Sequence, residues 1–123
     1  YKAEMSNRAA ARLIRAENTS NQEIVADSAE PKSIAEMYDY GLRVISARKG
    51  PDSVKHGVDW LRDLEEIIID DQRCPNAARE FLGYELDRDK NGNFKASYPD
   101  RDNHTIDAVR YATQDDQINV QVR

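Results

Sequence analysis

The sequence predicts an α/β domain in which short parallel strands alternate with amphipathic helices. Two apolar runs bounded by turn residues, at 23–26 and 43–47, enclose a stretch of helical periodicity, and a third run at 66–71 sits between two more helical stripes. Strands separated by helices are joined by crossovers, which makes the strands parallel and the connections right-handed. With 123 residues the chain is long enough for one domain with a single core, spanning 1–123.

The chain opens on Tyr1-Lys2. From 4 to 16, Met5, Ala9, Leu13 and Ala16 recur at helical spacing, with Arg8, Arg12 and Arg15 outside, so a first amphipathic helix is expected with those four inward. Asn18-Thr19-Ser20-Asn21 breaks it. Residues 23–26 suit a buried strand ending at Asp27, and open α/β sheets place their ligands at the C-terminal ends of such strands. Ser28 to Pro31 turns the chain, Ser33-Ile34-Ala35-Glu36 fits a capping box, and Ile34, Met37 and Tyr38 form the apolar side of the helix it starts. Gly41 is placed to end that helix at C′, and the second strand follows at 43–47.

Arg48 to Asp52 is a basic loop. Beyond it Val54, Val58, Leu61 and Leu64 give a third helix its buried stripe, with Trp60 at the margin. The run at 66–71 reads as a third strand closing on Asp70 and Asp71. Pro75 is a good N1 residue for a helix reaching Gly83 that buries Ala78, Phe81 and Leu82. The period then changes: 84–87 and 94–97 flank Lys90-Asn91-Gly92-Asn93, a hairpin signal. Asn103 is placed as N-cap of a last helix beginning at His104, and the polar tail at 118–122 is left as a short edge strand or no regular structure. The sheet is completed by hairpin and tail, or by strands preceding Tyr1.

Composition excludes several classes. Net charge is −5, which disfavours a module that grips nucleic acid by counterion release alone while suiting a carboxylate cluster that binds cations. No apolar run approaches membrane-spanning length and no signal peptide is present, so a cytoplasmic setting is the default. Cys74 is the sole cysteine and forms no internal disulfide. There is no Gly-x-x-x-x-Gly-Lys-Ser/Thr, hence no Walker A loop, and Trp60 and the six tyrosines are scattered rather than striped for base stacking.

The residues able to carry chemistry lie at strand ends and on the last helix. At about 100° per residue, His104, Asp107 and Tyr111 share one face of that helix, while Ile106, Val109 and Thr113 fall on the other. A His and an Asp one turn apart can hold a divalent cation or position a water; the same spacing also describes the solvated face of an ordinary amphipathic helix, and spacing does not choose. Asp27 is similarly either a ligand or the cap of the turn after its strand. Asp70 and Asp71 read as solvated, Lys49 as a phosphate contact or an exposed lysine, and His56 is assigned no function.

A resemblance bears on these alternatives. The string Asn103-His104-x-x-Asp107-Ala108-x-Arg110-Tyr111-Ala112, preceded by Pro99-Asp100 and a hairpin-like segment, is similar to the end of the nuclease domain of phage and prophage terminase large subunits, the DNA-packaging motors. Two further strings agree in order: Ile24-Val25-Ala26-Asp27-Ser28-Ala29-Glu30-Pro31-Lys32-Ser33-Ile34 and Lys49-Gly50-Pro51-Asp52-Ser53-Val54-x-x-Gly57, while the middle of the chain matches in pattern only. They resemble the branch found in Gram-positive phages and defective prophages.

The resemblance implies an RNase H-like three-layer fold with a mixed sheet, and an endonuclease that cuts concatemeric DNA with two divalent metals, Mg²⁺ or Mn²⁺. It makes Asp27 the carboxylate at the end of a central strand, Asp107 the carboxylate on the last helix and His104 the histidine beside the metals; the two acids are expected to come together. The family's first carboxylate has no counterpart, because Tyr1 begins after it, so the N-terminal strands are expected to be missing from this chain; at least one metal site is expected to be weakened, a single ion is expected at Asp27 and Asp107 with His104 nearby, and full nuclease activity is not expected of the fragment alone. Double-stranded DNA, a terminase ATPase domain, a small terminase subunit and a portal are the implied partners. Two rivals stand beside the enzyme. One is a non-catalytic structural or interaction remnant that pairs with a second copy through an exposed sheet edge. The other is a small doubly wound domain, which needs a five-stranded parallel sheet that the sequence does not supply.

Overall fold

The computed structural model describes residues 5–95 and 97–121. The chain divides into two compact units, Tyr1–Lys49 and Gly50–Arg123. In the first, the elements are α1 (Asn7–Glu17), β1 (Ile24–Ala26), α2 (Pro31–Asp39) and β2 (Val44–Ser46). β1 and β2 pair in parallel with Ile24 opposite Val44, Val25 opposite Ile45 and Ala26 opposite Ser46. The expected strand, helix, strand order is therefore present, with each strand shorter than its apolar run. α2 packs on β2 and α1 on α2, and among the described residues of the unit Ala11, Leu42, Val44 and Ala47 are the buried apolar ones.

Ser6 caps α1 by accepting the Ala9 amide at 3.1 Å. Its buried side is a correction: Ala11 is buried and Ala10 and Ile14 half-buried, whereas Leu13, Ala9 and Ala16 are exposed and Met5 precedes the helix. Both stripes have helical spacing, and docking on α2, where the Asn7 amide donates to Ser33 Oγ and Glu36 Oε2, selects between them. Residue 4, the expected helix start, lies outside the described residues. The capping box at Ser33 and Glu36 is also overturned. Pro31, whose fixed φ suits N1, starts α2 earlier, Ser33 Oγ donates to Glu30 Oε2, and Glu36 accepts from Asn7 and Tyr40. Tyr38 is exposed, while Ile34 and Met37 are half-buried. Gly41 ends α2 as expected: at φ +93° it returns its amide to Tyr38 O, and Leu42 returns its own to Met37 O, the paired bonds of a Schellman motif.

The second unit contains α3 (Ser53–Arg62), α4 (Pro75–Gly83), α5 (His104–Ala112) and α6 (Gln114–Gln121). α5 packs against α3, α4 and α6, and among the described residues of this unit Val58, Leu61 and Ile106 are the buried apolar ones. Val54, in the first turn of α3, and Leu64, beyond its C-cap, were expected in the α3 stripe and are exposed. The third strand does not form. Residues 66–70 take no regular structure, Ile68 is 84% exposed, and among the described residues no strand pairs with them; an apolar run without a ladder partner has nothing to hold it extended. Instead Asp70 turns the chain toward Pro75, its Oδ1 accepting the amides of Gln72 and Arg73.

α4 has the bounds expected, but its inward residues differ: Leu82 is exposed and Glu80 is 3% exposed. The hairpin closes about Gly92 at φ +83°, with Asp89 accepting the Gly92 amide on its carbonyl and the Asn91 and Asn93 amides on Oδ1. Its regular pairing is confined to an antiparallel bridge between Arg88 and Phe94; Ala96 lies outside the described residues. Parallel and antiparallel pairing thus both occur, each in its own unit. The tail is a correction, since 114–121 is helical. The buried Gln117 side chain donates to Arg110 O and Thr113 Oγ1, bonds available only when the chain coils back on α5. Val122 lies outside the described residues. No helix among them is long and apolar enough to cross a membrane.

Candidate functional site

Asp27 closes β1, where the chain leaves the sheet and its side chain turns outward, 56% exposed. Its Oδ1 accepts the Ala29 amide at 3.0 Å, which is the turn-capping role, and also receives the Lys49 ammonium at 2.6 Å. Lys49 therefore sits on a carboxylate of its own unit. A half-exposed pair of this kind contributes about 0–1 kcal/mol and weakens as salt rises. Asp27 also borders a cavity of about 360 Å³ with Glu30, Asn7 and Ser33 among its polar walls.

His104 and Asp107 occupy the first turn of α5. His104 is exposed, and Asp107, 27% exposed, accepts Arg110 Nη2 on Oδ1 at 2.8 Å. Arg110 is itself buried, with its methylene stem where a side chain on Gly57 would stand: a Cβ there would lie 2.8 Å from Arg110 Cδ. Burial of the guanidinium makes its ion pair with Asp107 less screened than that of Lys49 with Asp27.

The start of α5 is held in a way the sequence does not announce. Asn103 occupies the N-cap position but makes no side-chain capping bond; its amide donates to Asp100 Oδ1 at 3.4 Å instead. The cap comes from another helix. Glu80 of α4 accepts the Thr105 amide on Oε1 at 2.8 Å and the Thr105 hydroxyl on Oε2 at 3.0 Å. A carboxylate there satisfies an orphan helix donor and faces the positive end of the helix dipole. Behind it Tyr84 donates to Pro99 O and stacks on Tyr98, ring centroids 5.4 Å apart. Burial pushes the Tyr84 phenol above its usual range; a hydrogen bond with Asn103 opposes the shift and the charge of Asp107 adds to it.

Of the expected site residues, His104 and Asp107 share one helical turn of the second unit, and Asp27 belongs to the first. Among the described residues no group of three or more His, Cys, Asp or Glu gathers as a ready-made metal cage. Asp70 and Asp71 are exposed, as expected. Glu80, Arg110 and Gly57 were missed as supports. Arg110 and Gly57 stand inside the quoted strings, so position marked them; Glu80 carried no signal, because a charged residue beside an apolar stripe reads as solvated.

Comparison with known proteins places this architecture. Residues 1–115 match the model of the terminase RNase H-like domain family. The chain is 47% identical over 106 residues to the terminase large subunit of Bacillus phage SPP1, covering 85% of this chain and 25% of that one. It is 32% identical over 118 residues to the PBSX phage terminase large subunit of Bacillus subtilis strain 168, covering 96% of this chain and 27% of that one. It thus spans about a quarter of the length of these curated relatives. The crystal structure of the large-terminase nuclease domain of bacteriophage SPP1, solved with bound Mn, superposes with a TM-score of 0.84 at 44% identity, over 92% of this chain and 65% of that one. Sequence and three-dimensional likeness agree over nearly the whole length: the fold is RNase H-like, and the chain belongs to the terminase RNase H-like domain family.

Proposed function

We propose that this chain is the endonuclease domain of a phage or prophage terminase large subunit, cutting concatemeric double-stranded DNA during genome packaging by two-metal phosphodiester hydrolysis with Mg²⁺ or Mn²⁺. The observation that carries the reading is the close likeness to a nuclease domain whose crystal structure holds Mn. We treat residues 1–123 as one domain, because the family model runs across both compact units.

The donor chemistry fits such an ion. Hard divalent cations take carboxylate oxygens, keep several waters and need only one or two protein carboxylates together with substrate phosphates. Asp27 and Asp107 are the carboxylates assigned to the metal, and each already draws a cation, Lys49 and Arg110 respectively. When bound, the ions activate the attacking water and stabilise the leaving oxygen. His104 serves as a further ligand or orients the water, and its exposed place on the first turn of α5 suits either role. Lys49 and Arg110 set the charge that an arriving ion must displace or share. The ATPase domain, the small subunit and the portal are the partners proposed from the family.

Plasmid nicking in Mn²⁺ by the unaltered chain and by Asp107→Ala tests the assignment. Loss of nicking in the variant is expected. Equal cleavage by both removes Asp107 from the chemistry, and no cleavage by either favours the non-catalytic remnant.

A further inference from the structure

We infer that Glu80 is a positioning residue for the metal-binding turn: by capping α5 from α4, it fixes the backbone from which His104 and Asp107 project. The inference rests on the proposal that Asp107 is a metal ligand, and it concerns a residue to which that proposal assigns nothing.

Three facts carry it. Glu80 is 3% exposed, and a carboxylate is not held away from water without strong partners. Both of its oxygens accept from Thr105, one from the backbone amide and one from the hydroxyl, so the contact restrains position and rotation together. Thr105 stands between His104 and Asp107 in the first turn, and the residue expected to cap that turn, Asn103, does not. The Asp107 amide bonds to Asn103 O at 2.8 Å, the first bond of the helix, and Glu80 adds an acceptor for the Thr105 amide two positions before it. Without that acceptor the first turn loses the cap that helix starts require and frays. A ligand on a fraying turn spends part of its time away from the ion. Outer partners that orient metal ligands act in this way.

The test is Mn²⁺ affinity, read from the EPR signal of free Mn²⁺, for the full chain and for Glu80→Ala, Glu80→Gln and Asp107→Ala, with amide hydrogen exchange at 104–107 measured in parallel. Glu80→Ala is expected to weaken Mn²⁺ binding by roughly 10- to 100-fold and to speed exchange at Thr105 while α3 stays protected. Glu80→Gln keeps an acceptor for the amide and restores affinity to within a few-fold, a rescue that mere loss of packing would not give. Thr105→Val removes the hydroxyl alone and gives a smaller loss; it stands in if Glu80→Ala does not fold. Unchanged affinity in Glu80→Ala alongside a loss in Asp107→Ala overturns the positioning role and leaves Asp107 as a ligand. Unchanged affinity in Asp107→Ala overturns the ligand assignment itself, and the positioning role with it.

Discussion

Replacing Gly57 by Ala tests how tightly Asp107 is held from behind. Gly57 lies inside α3, where Ala is preferred to Gly by about 1 kcal/mol, so propensity alone favours the variant. Space opposes it. The new methyl would stand 2.8 Å from Arg110 Cδ, 3.2 Å from Arg110 Cγ and 3.5 Å from Gln117 Oε1. The two Arg110 carbons are the middle of a buried side chain whose far end is fixed on Asp107, so they cannot swing into solvent without giving up the 2.8 Å pair. Overpacking of this kind costs about 1–3 kcal/mol, which outweighs propensity and leaves Gly57→Ala destabilised by about 1 kcal/mol. For a chain of this size that lowers Tm by roughly 3–6 °C. The decisive measurement is a double-mutant cycle by urea unfolding, with Gly57→Ala made in the unaltered chain and in Arg110→Ala. Once the Arg110 side chain is gone, the same Gly57→Ala change should become stabilising by up to about 1 kcal/mol. Stabilisation of equal size in both backgrounds would refute the argument that Arg110 fills the space that Gly57 leaves.

Two further outcomes can be checked. Because burial raises the Tyr84 phenol, its stabilising effect is complete below the free-tyrosine value of about 10 and fades as pH climbs through the folded value; a ¹³Cζ titration placing Tyr84 at or below the free value contradicts this. The rival reading, a remnant that pairs with a second copy through an edge of the β1–β2 sheet, would form only a short ladder, since each strand has three residues, and so requires a concentration-dependent dimer in sedimentation. A monomer at every concentration sinks it.

Local rules carried much of this chain. Pro75 and Gly83 bracketed α4 correctly, Gly41 ended α2 by the motif its φ requires, and the helix beginning at His104 was legible from the loop before it. The three quoted strings pointed to the family that comparison then established. What failed was whatever depends on a partner distant in sequence. Ile67 and Ile68 have strand composition, but a strand exists only where another chain segment supplies the ladder. The inward side of α1 was chosen by α2, not by its own periodicity; the tail is the short-range exception, a helix in which Gln117 bonds to Arg110 O only seven positions back.

The sequence by itself determined the order of most elements, the placement of Asp27 at a strand end and the juxtaposition of His104 and Asp107 on one helical turn. Only the tertiary structure decided that Lys49 lies on Asp27, that Arg110 is buried against Asp107 in the space left by Gly57, and that Glu80 caps a helix other than its own. Period and capping rules act over a few residues, whereas desolvating a charge requires partners brought from elsewhere in the fold.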